Sequence, residues 1–211
     1  NEPNQIANVI KLLRKRRSSR RAVIQLFHPE DVEPSYKSVP CTCTLQFVDR
    51  DNKLHMLVNM RSNDAYFGLP HDVFAFTMLQ EIIARSIGSE PGIYQHCVGS
   101  LHLYDKDRAT AEAYLAEGLF RSVPMESMPY GDPWEHIGRI MDFEQTVRLD
   151  GNAGIPEGMP TYWKDFSILL LFYRSWRDSN FPECDRLKSL VSPVYRLYIE
   201  DKLEQRCRSS S

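Results

Sequence analysis

A chain of 211 residues, 42% of them apolar, can bury the core of one large domain or of one domain with an appendage. A net charge of −2 gives no field favouring nucleic acid or membrane, and no apolar run approaches the roughly 20 residues that span a bilayer. The five cysteines are odd in number and irregularly spaced, and they complete no zinc set. A reducing compartment follows, and with no recognisable signal peptide the expected location is cytoplasmic.

In chain order, Ile6, Val9, Ile10, Leu12 and Leu13 recur at helical spacing, which predicts a helix over 4–16. It runs into the basic stretch Arg14–Arg21, a solvated face or a nucleic-acid patch. Ala22–Phe27 is β-prone, and His28–Ser38, with two prolines, reads as a loop. Thr42–Val48 and Leu54–Met60 alternate around the polar Asp49–Lys53, which predicts a hairpin. Gly68-Leu69-Pro70 is expected to break the chain, leaving Asp72 as N-cap of a helix ending near Ile87-Gly88.

Ile93–Tyr104 reads as a strand, with Gly99 permitting close backbone approach, and Arg108–Ala116 reads as a helix. Residues 119–135, rich in Pro, Gly and Met, are expected to be loop; from Trp163 onward the pattern is helical, with a frayed polar tail over 206–211. The fold class is α/β (α+β): a mixed sheet with packed helices, then a helical C-terminal portion. The expected division is 1–160 and 161–211, the second part packing on the first.

Alone, Cys41 beside Pro40 reads as a small buried hydrophobe. Arg61 and the Arg20-Arg21 pair change that reading. They are cations able to stabilise a thiolate, and arginine suits bidentate phosphate recognition. A nucleophile among arginines suggests an anionic substrate such as a nucleoside monophosphate. No Gly-rich phosphate loop or dinucleotide fingerprint points to a triphosphate or NAD.

Five segments then match a family in order and spacing: Ser19-Arg20-Arg21; Pro40-Cys41 with Gln46-Phe47; Arg61-Ser62-Asn63-Asp64; Phe67-Gly68-Leu69-Pro70; and Gly99 with His102-Leu103-Tyr104. Over roughly residues 5–105 the chain resembles thymidylate synthase and the related deoxycytidylate and cytidylate hydroxymethylases. The resemblance implies that Cys41 adds to carbon-6 of a pyrimidine. Carbon-5 then takes a one-carbon unit from 5,10-methylenetetrahydrofolate. Arg61 and Ser62 would bind the phosphate, with Arg20 and Arg21 reaching across a homodimer. His102 and Tyr104 would hold the ribose hydroxyl. Asp64 and Gly68 would lie on the folate side, Asp64 also in the polar network near the ring.

Asp72 stands where the synthases have asparagine. An asparagine amide matches both the N3–H and the O4 of uracil, whereas a carboxylate matches the exocyclic amine of cytosine. The expectation is therefore hydroxymethylation of CMP or dCMP, with water quenching the exocyclic methylene. The alternatives are methylation of dUMP, or a nucleotide-binding homologue without chemistry. Several positions depart from the family. Thr42 replaces the histidine after the nucleophile, and Ser100-Leu101 replaces Asp-Thr. The family's segment ahead of the first helix, with its catalytic glutamate, is not in this chain, and neither Glu30 nor Glu33 takes its place. Trp163–Leu203 stands where the family closes on an apolar tail, either packing on the core or a dimer partner or forming a lid or an accessory binding surface.

Overall fold

A computed structural model describes residues 4–33, 36–118, 123–150 and 153–209. The chain divides into two units, Asn1–Phe120 with Tyr130–Asp132, and Arg121–Pro129 with Pro133–Ser211. The class is mixed α/β with a helical C-terminal part, as the sequence implies.

The first unit opens with α1 (Gln5–Lys15), capped by the Asn4 side chain, which accepts the Ala7 N–H. Val9, Ile10 and Leu13 form its buried stripe. The strands β1 (Val23–Gln25), β2 (Thr42–Arg50) and β3 (Lys53–Met60) are antiparallel neighbours. Their hairpin turn is tighter than the sequence suggested, because Asp51 and Asn52 both take positive φ (50° and 59°), as a two-residue turn matching strand twist requires. The short strand β4 (Asn63–Asp64) follows, then α2 (Gly68–Ile87), β5 (Glu90–Val98), β6 (Leu101–His102) and α3 (Arg108–Ala116).

Strand order is β1-β2-β3-β5, with β3 and β5 parallel and joined through α2, while β4 and β6 form a separate parallel pair. Leu45, Phe47, Leu54, Met56 and Val58 bury one sheet face against α1 and α2, where Leu13, Ile83 and Ala84 complete the core. The opposite face carries Val48, Leu57 and Ile93, the last 69% exposed. The alternation of β2, β3 and β5 thus separates a core face from an open one.

Two bulges interrupt the ladders. At the mouth of β2 the register passes from Thr42↔Met60 to Thr44↔Asn59, so Cys43 is an extra residue beside Cys41. In β5 the register passes from Leu54↔Pro91 to Met56↔Tyr94. There the His55 imidazole accepts the Ile93 N–H at 3.0 Å. Buried Gln80 of α2 donates to Leu54 O at 2.7 Å and, at longer range, to Gly92 O and Ile93 O.

Three expectations are corrected, and one helix was not foreseen. Gly68-Leu69-Pro70 opens α2 instead of breaking the chain, because a first-turn proline lacks an N–H that has no helical acceptor anyway. Asp72 therefore lies inside the helix and is not its N-cap. The strand foreseen over 93–104 starts earlier and is two strands, interrupted at Gly99-Ser100. The region between the expected loop and Trp163 holds a long helix, α4 (Trp134–Asp150), with only Phe143 and Val147 buried.

Of the expected loops, 28–38 contains a 3₁₀ turn at Pro29–Val32, and residues 34–35 lie outside the described ones, as do 119–122. In the second unit α4 is followed by α5 (Thr161–Arg177), α6 (Phe181–Leu190) and α7 (Pro193–Ser209). They enclose a core that includes Phe143, Ile168, Phe172, Cys184, Leu187 and Ile199. The tail expected to fray is helical to Ser209, and 210–211 lie outside the described residues. No helix among the described residues is long and apolar enough to cross a membrane.

Candidate functional site

Cys41 is exposed and sits one residue ahead of β2, at the bulge. Its carbonyl accepts the Arg61 N–H at 2.9 Å, which ties it to the chain leaving β3. The Arg61 side chain folds back over the same segment. Nε donates to Pro40 O and Nη2 to Val39 O, each at 3.0 Å, and Nη2 lies 3.8 Å from the Cys41 sulfur. Among the described residues the two N–H bonds of Nη1 have no protein acceptor, so the guanidinium clamps the Cys41 segment with one edge and leaves another open.

Residues 61–65 stitch this segment to a second one. The Asn63 N–H bonds Ser100 O at 3.0 Å and the Ala65 N–H bonds His102 O at 2.8 Å. Gly99 makes the approach possible, since a Cβ there would lie 3.1 Å from Arg61 O. Ser62 Oγ is 3.4 Å from His102 Nδ1, and the His102 and Tyr104 rings meet edge to face at 4.8 Å. Cys41, Arg61, Ser62, His102 and Tyr104 are thus brought to one end of the first unit.

Asp64 closes the other side. Its carboxylate accepts the N–H groups of Tyr66 (3.1 Å), Phe67 (2.9 Å) and Gly68 (3.1 Å), so it supplies the capping expected of Asp72. Those hydrogen bonds, led by Tyr66, hold its carboxyl below the usual carboxylate range despite partial desolvation, with a smaller contribution from His102. Gly68 is required here because a Cβ would overlap Asn63 Oδ1. Beyond it opens an apolar depression of about 570 Å³, lined by Tyr66, Phe67, Pro70, Leu103, Tyr114 and Leu115 among others.

Arg20 and Arg21 are not part of this constellation within one chain. Both are exposed between α1 and β1, and their side chains make no hydrogen bond or ion pair among the described residues. Because Val23 pairs with Gln46, the pair lies level with the far half of β2, roughly 20 Å from Cys41 at the rise of an extended strand.

Asp72 is half-buried on α2, and its charge acts on Tyr94 and His96 of β5. Those two residues, with buried Asn63, form a hydrogen-bonded group that the sequence reading did not single out. The available signal was their period-two spacing: Tyr94 and His96 share the inner face of β5 while Gln95 and Cys97 face out.

An exposed thiol beside a guanidinium with one unpaired edge, next to a Ser–His pair, suits an anionic ligand near the mouth of β2. A family model described as Thymidylate synthase matches residues 1–129, which include every one of these groups. Its members transfer a one-carbon unit from methylenetetrahydrofolate to carbon-5 of a pyrimidine nucleotide. The chain belongs to the thymidylate synthase family of pyrimidine C5 one-carbon transferases.

Proposed function

We propose that the protein is a cytidylate 5-hydroxymethylase acting on CMP or dCMP as a cytoplasmic homodimer. The observation that carries the cytosine reading is the carboxylate of Asp72. An ionised carboxylate offers only acceptors, which match the exocyclic amine of cytosine and a protonated N3, and mismatch the O4 of uracil. A mismatch that leaves buried polar groups unpaired costs about 1–3 kcal/mol each, enough to separate two substrates by one to two orders of magnitude.

Cys41 attacks carbon-6 as the thiolate, and the electron pair displaced from the C5=C6 bond makes carbon-5 nucleophilic. Arg61 orients the attacking segment through Pro40 O and Val39 O and turns its Nη1 edge to the phosphate, beside the Ser62 hydroxyl. His102 and Tyr104 hold the ribose. The two exposed cations Arg20 and Arg21 complete the phosphate site across the dimer, a reading supported by their distance from Cys41 within one chain and by the open sheet face around Val48, Leu57 and Ile93.

The residues present fit a flat, largely apolar cofactor: Tyr66 and Phe67, whose N–H groups Asp64 holds, line the depression with Pro70 and Leu103. Three of the roughly four lone-pair positions of Asp64 are taken by backbone N–H groups, which leaves one for the cofactor or a water near the ring. Methylenetetrahydrofolate would supply the one-carbon unit to carbon-5, which gives up its own proton; addition of water in place of hydride would give the 5-hydroxymethyl product, with tetrahydrofolate released. Cys41 leaves when the C5=C6 bond re-forms.

The test is incubation with labelled formaldehyde, tetrahydrofolate and, separately, CMP, dCMP or dUMP tritiated at carbon-5. A cytosine nucleotide is expected to release tritium and gain a labelled hydroxymethyl group, and Cys41→Ala abolishes both. Release from dUMP alone overturns the proposal in favour of thymidylate synthesis; no exchange with any nucleotide favours a binding protein.

A further inference from the structure

The bulge at the mouth of β2 holds two thiols on one short piece of chain. Cys41 is exposed, Cys43 is half-buried, and both are free. In an unbroken strand, residues two apart have Cα atoms about 6.6 Å apart, at the far limit for a disulfide. The bulge shortens that span. From Thr42 to Thr44 β2 advances by two residues while β3 advances only from Met60 to Asn59, so the chain around Cys43 is compressed along the strand. The Cys43 thiol also turns back along the chain, its sulfur 4.0 Å from Cys41 O. The carbonyl it faces belongs to Cys41 itself, so rotation about the two Cα–Cβ bonds is the motion that joins the sulfurs.

The two thiols stand in different surroundings. Arg61 Nη2 lies 3.8 Å from the Cys41 sulfur, and a guanidinium there favours the thiolate, the form that attacks. The Cys43 sulfur meets a carbonyl instead, which suits the protonated thiol. The cysteines elsewhere in the described strands and cores do not compete for either. Cys97 pairs with Asn59, which pairs with Thr44, so it lies two strand spacings from the bulge, about 10 Å, beyond the Cα separation a disulfide spans. Cys184 is fully buried in the core of the second unit.

We infer that Cys41 and Cys43 form a site of reversible oxidation by hydroperoxides, with Cys41 as the attacking thiol and Cys43 as the resolving one. The Cys41 thiolate attacks a peroxide oxygen. An S–O bond forms, the O–O bond breaks, the sulfur is oxidised to a sulfenic acid and the hydroperoxide is reduced to water or an alcohol. The Cys43 sulfur then attacks that of Cys41. The S–S bond forms, the S–O bond breaks, and the leaving hydroxide departs as water with the Cys43 proton. A dithiol reductant returns both thiols by exchange. The disulfide withdraws the exposed thiol from any nucleophilic chemistry and shields it from irreversible oxidation to the sulfinic acid. It does so whichever pyrimidine the site takes.

The test is treatment of the whole folded protein with hydrogen peroxide, followed by alkylation of the remaining thiols, tryptic digestion and mass spectrometry. Cleavage after Lys37 and Arg50 releases residues 38–50 as one peptide that carries both thiols and no other cysteine. That peptide is expected to lose two hydrogens and to take no alkylating group, and dithiothreitol is expected to restore two alkylatable thiols. In Cys43→Ser the same treatment is expected to drive Cys41 on to a sulfinic acid, a gain of two oxygens that dithiothreitol does not reverse. Three results overturn the inference: in the unmodified protein, Cys41 gains two oxygens while Cys43 still alkylates; Cys41 is linked to Cys97, Cys184 or Cys207; or both thiols stay alkylatable at a peroxide dose that oxidises free cysteine. The first measurement needs only the unmodified protein, so it stands even if Cys43→Ser fails to fold. No nucleotide is present, so a protein that turns over none of them still decides the point.

Discussion

Replacing Arg61 by lysine separates the two tasks its guanidinium carries. Lysine keeps one positive charge but loses the planar fork, so it cannot hold Pro40 O, Val39 O and the Cys41 sulfur together. Two N–H···O=C bonds at 3.0 Å are lost. Each is worth about 0.5–1.5 kcal/mol, and because Arg61 is exposed, water replaces much of that. The expected loss of stability is therefore about 1 kcal/mol, a fall in Tm of roughly 2–4 °C for a chain of this size. Activity is expected to fall further. The segment 39–41 retains the backbone bond from Arg61 N–H to Cys41 O but loses its side-chain clamp, and a nucleophile displaced by about 1 Å costs on the order of 100-fold. Thermal unfolding and tritium release from carbon-5 measure the two effects on the same sample. Because lysine still attracts phosphate as a point charge, the loss is expected in kcat with a smaller rise in KM. Turnover of Arg61→Lys within about twofold of the unmodified protein would refute the clamp, since displacement on this scale cannot be silent.

Gln80→Leu removes the buried amide that donates to both strands at the bulge between β3 and β5. Leaving the Leu54, Gly92 and Ile93 carbonyls without their shared donor is expected to cost about 1–3 kcal/mol in urea unfolding, with the slope against urea unchanged, and a cost below about 0.5 kcal/mol contradicts the bridge. His96 makes stability depend on pH. Its folded-state value lies below 6.5, chiefly through burial, so the unfolded chain binds the proton more readily. Stability is then complete above about pH 6.5 and declines as pH falls through the folded value. His96→Gln is expected to flatten that decline in pH-resolved urea titrations, whereas an identical slope in both proteins removes His96 as its source.

Much of the fold was legible because its signals are local. The helical stripe of α1 and the alternation of β2 and β3 each lie within one run, and all three elements formed close to their expected bounds. The start of α2 was misplaced because a proline has two meanings. Pro70 stops a helix that precedes it but is tolerated within the first turn, and the cap that decides between these is Asp64, which reaches forward to three N–H groups. The α4 helix escaped notice for another reason. Its exposed Met141 and Leu149 stand beside buried Phe143 and Val147, so the apolar positions form no single stripe.

The site divides along the same line. Arg61, Ser62 and Asp64 were legible because they are contiguous, whereas Tyr94 and His96 gain meaning only when α2 carries the chain from β3 to a parallel strand that sets them beside Asn63 and Asp72. The contiguity itself has a structural cause. The run 61–65 pairs on one side with Cys41, through the Arg61 N–H, and on the other with Ser100 and His102, through the Asn63 and Ala65 N–H groups. One extended segment between two others fixes their separation at two strand spacings, about 10 Å. The proposed roles of Cys41 at a ring and His102 at a sugar need such a spacing, and five consecutive residues are enough to impose it. Of the side chains between those backbone bonds, Ser62 meets His102 and Asp64 holds the start of α2. This is why a short motif in the sequence carries so much of the site, and why what it leaves out lies on the one strand reached through a helix.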